Sequence, residues 1–156
     1  MHSTRRRFTL AAAFFALTLT TGAAAPAPET PGSKQPVITV YKDPDCGCCN
    51  NWVDHLIKHG FKVESKDTRE MTEIKANLGV PGSLESCHTG VVGGYLVEGH
   101  VPAADILRML KQKPRIAGLA VPGMPMGSPG MEGPRKQKYD VVSFDKKGKT
   151  KVFARH

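Results

Sequence analysis

Residues 36–60, "PVITVYKDPDCGCCNNWVDHLIKHG", constrain the fold more than any other stretch of the chain. "PVITVYK" (36–42) is rich in β-branched residues and reads as a strand. From about Cys48 to His59, Trp52, Val53, Leu56 and Ile57 recur on one helical face. Asp45 or Cys46 is placed to cap this helix, and Gly60 to end it in a left-handed conformation. A strand thus runs straight into a helix through a loop holding Cys46, Cys48 and Cys49. Any fold built on it must place three sulfurs at a helix N-terminus.

The rest of the chain extends this unit. "FKVESK" (61–66) alternates as a second strand, and "DTREMTEIKANLG" (67–79) predicts a helix with Met71, Ile74 and Leu78 inward. Cys87 and His88 precede "TGVVGGYLVEGHV", where Gly93-Gly94 marks a two-residue hairpin. "PAADILRMLKQK" (102–113) opens on a proline at a first helical turn and spaces Ile106, Leu107 and Leu110 inward. The order β-loop-α-β-α-β-β-α predicts an α/β, thioredoxin-like fold, a mixed sheet with flanking helices. Nine of the seventeen residues in 118–134, "GLAVPGMPMGSPGMEGP", are Gly or Pro, so no regular element is expected there. Residues 137–156 read as a closing β-hairpin turning at Lys146–Lys149.

The N-terminus reads as an address. Arg5, Arg6 and Arg7 precede an apolar run that ends in alanines, the pattern of a signal peptide over residues 1–25. Thr4-Arg5-Arg6-Arg7-Phe8 also fits a twin-arginine signal. The alternative, an uncleaved anchor, suits a run shorter than the ~20 apolar residues of a span poorly. Residues 26–35 form a proline-rich linker, and 36–156 one domain. The expected location is the periplasm, with no stable membrane span after processing. Without the three arginines, 19 basic residues face 14 acidic ones. That modest, scattered excess describes a solvated surface better than a nucleic-acid site.

Cys46 and Cys49 stand at C-x-x-C spacing, with Cys48 between them. The helix dipole is worth only ~0.3–1 kcal/mol at a surface site. At ~1.36 kcal/mol per unit, it lowers a thiol pKa by less than one unit. Coordination to a soft cation deprotonates thiols outright. In this layout the Cys87-His88 turn faces the helix N-terminus, which adds a fourth sulfur and an imidazole. Cys46, Cys48, Cys49, Cys87 and His88 are therefore candidate metal ligands, and bridging thiolates allow more than one ion. Met124, Met126 and Met131 lie in the open Gly/Pro loop, where thioethers suit Cu(I) and hardly suit zinc. Copper, as Cu(I), is the expected metal.

Bland readings stand beside these. Cys46–Cys49 with Cys48–Cys87 is a possible structural disulfide pair, and the methionines can plug surface gaps. His55 and His59, four apart on the first helix, are expected on its solvated face, and His100 in a turn bond. The catalytic alternative is a metal-free thiol-disulfide oxidoreductase in which Cys46 attacks and Cys49 resolves.

"DPDCGCCNNWVDHL", "CHTGVVGGYLVEGHVPAADI" and "GLAVPGMPMGSPGMEG", spread over residues 36–134, together resemble the CopG-type copper-resistance proteins of bacterial periplasms. The resemblance implies a thioredoxin-like fold and copper held by Cys46, Cys48, Cys49 and Cys87, with His88 beside them. It further implies a role in copper handling, linked to thiol redox, with periplasmic copper carriers or electron donors as partners. The C-terminal hairpin lies outside the matching motifs.

Overall fold

A computed structural model describes residues 35–156; the expected signal peptide (1–25) and all but the last residue of the expected linker lie outside the described residues. Among the described residues, seven strands and three α-helices form one mixed α/β layer structure. The strands are β1 (Val37–Lys42), β2 (Lys62–Asp67), β3 (His88–Val92), β4 (Tyr95–Glu98), β5 (Gly118–Ala120), β6 (Asp140–Phe144) and β7 (Thr150–Arg155). The helices are α1 (Gly47–Lys58), α2 (Met71–Leu78) and α3 (Ala103–Gln112). The sheet order is β2-β1-β3-β4-β5-β6-β7, parallel at β1/β2 and β4/β5 and antiparallel elsewhere.

Each junction has a local cause. Crossover helices make the two parallel pairs possible, α1 between β1 and β2 and α3 between β4 and β5. Gly93 and Gly94 both take positive φ, 55° and 83°, as the tight turn between β3 and β4 requires. Asp145 Oδ1 accepts from the Lys147 and Lys149 amides at 2.8 and 3.0 Å, which fixes the turn between β6 and β7. The core gathers Ile38 and Val40 of β1, Trp52 and Leu56 of α1, Val92, Val97, and Ile106 and Met109 of α3.

Four expectations need correction. The segment 118–134 is not wholly irregular: its first three residues form β5, which pairs with β4 and β6 and so joins the closing hairpin to the sheet. In α1, Ile57 is exposed and Cys49, Trp52 and Leu56 turn inward, because the buried stripe starts one turn earlier at the cysteines. In α3, Leu107 is exposed and Met109 takes the inner position. In α2, Met71, Ile74 and Leu78 are only half-buried, and the buried residue is Lys75, drawn in by an ion pair with Glu98.

Candidate metal centre

Strand register brings the cysteines together. Lys42, the last residue of β1, pairs with His88, the first of β3. The chain leaving β1 enters the cysteine loop, and the chain entering β3 has just passed Cys87. Antiparallel pairing therefore sets Cys87 beside the start of α1. Cys46 is the N-cap of that helix, and Cys48 and Cys49 lie in its first turn. The four sulfurs all lie within 4.8 Å of one another.

Cys46 and Cys49 are joined as a disulfide, with Cα atoms 5.3 Å apart, while Cys48 and Cys87 are free thiols. The Cys46 and Cys48 sulfurs are 3.5 Å apart. Cys49 is buried; Cys46, Cys48 and Cys87 are partly exposed, so the cluster opens to solvent on one side. Burial, and then the neighbouring Cys48 sulfur, push the Cys87 thiol upward. Cys87 is thus a protonated thiol at neutral pH when no cation is bound.

The set fits a soft metal once its disulfide is reduced. Two sulfurs each ~2.3 Å from a shared ion lie at most ~4.6 Å apart. The present set lies within a few tenths of an ångström of that limit, and reduction frees Cys46 and Cys49 to part from bonding distance and share an ion. Four thiolates are also the donor chemistry that selects Cu(I) or zinc over hard cations.

His88 is not among the mutually close donors. Its ring is fully buried, 4.3 Å from Trp52 and edge-on to His100 at 4.9 Å between centroids. Its Nε2 faces the Gly99 carbonyl at 3.0 Å and must donate to it, which leaves Nδ1 as a buried lone pair without a partner. Burial, and then His100, hold this imidazole neutral, well below the usual histidine range. A neutral ring with a free lone pair is the ligating form.

The methionine loop reaches the same helix end through its backbone. A Cβ at Gly130 would sit 2.8 Å from both the Cys48 carbonyl oxygen and the Trp52 amide nitrogen, so only glycine allows this contact. Met124 and Met126 are exposed, with the Met126 thioether lying against Gly133, and Met131 is half-buried. His100, fully buried, donates from Nδ1 to the Pro129 carbonyl at 2.8 Å and ties the loop to the end of β4.

His55 differs from the solvated residue expected of it. It is half-buried, and its Nε2 accepts from the Ala103 amide at 3.1 Å, capping α3 from α1; His59 is exposed. No sequence pattern announces an acceptor for a helix 48 residues away. Burial, and then His59, lower the His55 pKa to about 4. Because the folded state refuses a proton that the unfolded chain takes up near 6.5, stability is full above that pH and falls as pH drops toward about 4. Urea midpoints measured between pH 7 and pH 4 should fall for the native chain and fall less for His55→Gln, which keeps an acceptor for Ala103. Parallel curves would contradict this account of His55.

Comparison with known proteins decides the family. The model of a protein family of unknown function, DUF411, matches residues 84–131. The solved structure titled copper resistance protein copG, form 2, is 49% identical over 79% of this chain and 99% of its own, with a TM-score of 0.75. Form 1 of the same protein is 49% identical over 79% of this chain and 98% of its own, with a TM-score of 0.74. This chain belongs to the CopG-type copper-resistance family. Among curated proteins none matches it. The part shared with the CopG structures covers nearly all of their length. Among the described residues, no helix is long and apolar enough to cross a membrane.

Proposed function

We propose that this CopG-type protein is a periplasmic copper-binding protein of copper resistance that holds Cu(I) on its cysteine thiolates. The observation that carries this reading is the convergence of four sulfurs within 4.8 Å of one another. Cys46, Cys48, Cys49 and Cys87 are the primary ligands, and His88, next to Cys87 in the chain, offers an unpartnered Nδ1 lone pair. Met124 and Met126, exposed, and Met131, half-buried, supply thioethers from which an incoming ion passes inward. The name borne by the related structures supports copper over zinc. The β-loop-α-β start with its following hairpin supports a thioredoxin-like domain over residues 36–156, delivered by the signal peptide of residues 1–25.

The Cys46–Cys49 disulfide supports a coupling between metal and thiol redox. Two electrons and two protons from an external dithiol or other donor convert the disulfide to two thiols, and loss of both protons yields the thiolates that bind metal. Oxidation of the pair withdraws two of the four ligands. Cu(I) contributes a soft, polarising cation that keeps the sulfurs deprotonated. The disulfide equally favours a second reading, a metal-free thiol-disulfide oxidoreductase. There the partly exposed Cys46 meets an external thiolate while buried Cys49 is the resolving sulfur.

Competition against a Cu(I) chelator separates the two. The reduced protein should hold Cu(I) and the Cys46–Cys49 disulfide form should hold it far more weakly. Equal retention by both forms would remove the pair from the site. Converting Met124, Met126 and Met131 together to leucine should preserve the fold and slow Cu(I) uptake from a chelator. An unchanged uptake rate would leave the methionines as surface residues only.

A further inference from the structure

The turn that carries Cys87 is held from behind by a buried ion pair for which the chemistry above has no use. Glu98, the last residue of β4, is fully buried, and its carboxylate reaches both sides of the Cys87-His88 pair. Oε1 accepts from the Ser86 amide at 2.6 Å, and Oε2 accepts from the Thr89 hydroxyl at 2.6 Å. Lys75 of α2, only 3% exposed, donates to Glu98 Oε1 and to the Thr89 hydroxyl oxygen at 2.8 Å. Cross-strand pairing of Thr89 with Glu98 builds the arrangement into the sheet register.

The four sulfurs differ in how the backbone supports them. Cys46, Cys48 and Cys49 belong to the N-terminus of α1, which holds them by its own hydrogen bonds. Cys87 lies outside any helix or strand, between a short 3-10 turn at Gly82–Leu84 and the start of β3. A buried ion pair is a poor device for stability alone, since apolar replacements of similar volume are often neutral or stabilising. A fully hydrogen-bonded carboxylate does what a leucine cannot: it fixes the Ser86 amide and the Thr89 hydroxyl, and thereby the residues between them.

We propose that Lys75 and Glu98 are positioning residues that hold Cys87 in place against the other three sulfurs. The proposal rests on the thiolate-site reading, and a metal-free readout keeps the two separable. In protein with the Cys46–Cys49 disulfide intact, Cys48 and Cys87 are the free thiols. Iodoacetamide labelling mapped by mass spectrometry then gives a rate for each. The charge-free double variant Lys75→Met/Glu98→Leu should label several-fold faster at Cys87, with Cys48 unchanged. After reduction, its Cu(I) affinity should fall roughly 10- to 100-fold, the usual cost of losing an outer partner of a metal ligand.

If the pair only docks α2 on the sheet, the melting temperature moves and the Cys87 labelling rate does not; that result in a folded variant overturns the proposal. Should the double variant fail to fold, hydrogen exchange at the Ser86 amide of the unmutated protein decides. Exchange as slow as that of core strands supports the clamp, and exchange at the rate of an open loop overturns it. Faster Cys87 labelling in a protein whose parent binds no Cu(I) would sink the copper reading and leave the clamp standing. Unchanged labelling in a protein whose parent binds Cu(I) would do the reverse.

Discussion

Replacing Cys48 by serine should cost the reduced protein its tight Cu(I) binding while leaving the fold and the Cys46–Cys49 disulfide intact. Cys48 is partly exposed in the first turn of α1, lies outside the hydrophobic core clusters, and is a free thiol. Serine is close to isosteric and suits a first helical turn, so the change in stability should stay within about 0.5 kcal/mol. The loss of affinity should exceed the roughly 10- to 100-fold typical of an outer partner, because a ligand itself is removed. Chelator competition measures it. A serine variant that binds Cu(I) as tightly as its parent would return the loop to an ordinary C-x-x-C redox pair with a spare thiol.

The largest effect on stability is expected at Trp52. Its ring is fully buried, its Nε1 donates to the Val101 carbonyl at 2.9 Å, and it packs at a tilt against His88. The Gly130 turn of the methionine loop packs on its backbone amide. Trp52→Ala opens a cavity where α1, the sheet and the histidine pair meet, and should cost about 3–5 kcal/mol. For a domain of this size the melting temperature should fall by more than about 10 °C. Far-UV circular dichroism is the right probe, because the chain has one tryptophan and the variant loses its fluorescence. A loss below about 1 kcal/mol would show that the ring is not a central support of the site.

How far the sequence spoke depended on the range of the forces involved. β1 was legible in its β-branched run, the β3–β4 turn in Gly93-Gly94, and the sulfurs' place at a helix start in the spacing of Trp52 and Leu56. These features are set by residues within one or two turns of each other. Lys75 was not legible, because helical periodicity reserves inward positions for apolar side chains and its partner Glu98 lies 23 residues away. β5 was missed for a related reason. Three residues, Gly118–Ala120, carry no period, and only pairing with β4 and β6 makes them a strand. The convergence of Cys87 with the C-x-C-C loop needed the Lys42–His88 register, which the hairpin hinted at and the sheet supplied. The same separation in sequence hid the capping role of His55, whose amide partner is in another helix.

The central claim is that four thiolates make one metal site. Its most direct test is to reduce the mature protein anaerobically, titrate it with Cu(I), and count bound metal and reactive thiols in the same samples. The account predicts at least one tightly held copper per chain and the disappearance of all four cysteines from the reactive-thiol count as the site fills. Less than one copper per chain, with the thiols still reactive and a freely reversible Cys46–Cys49 disulfide, would contradict it.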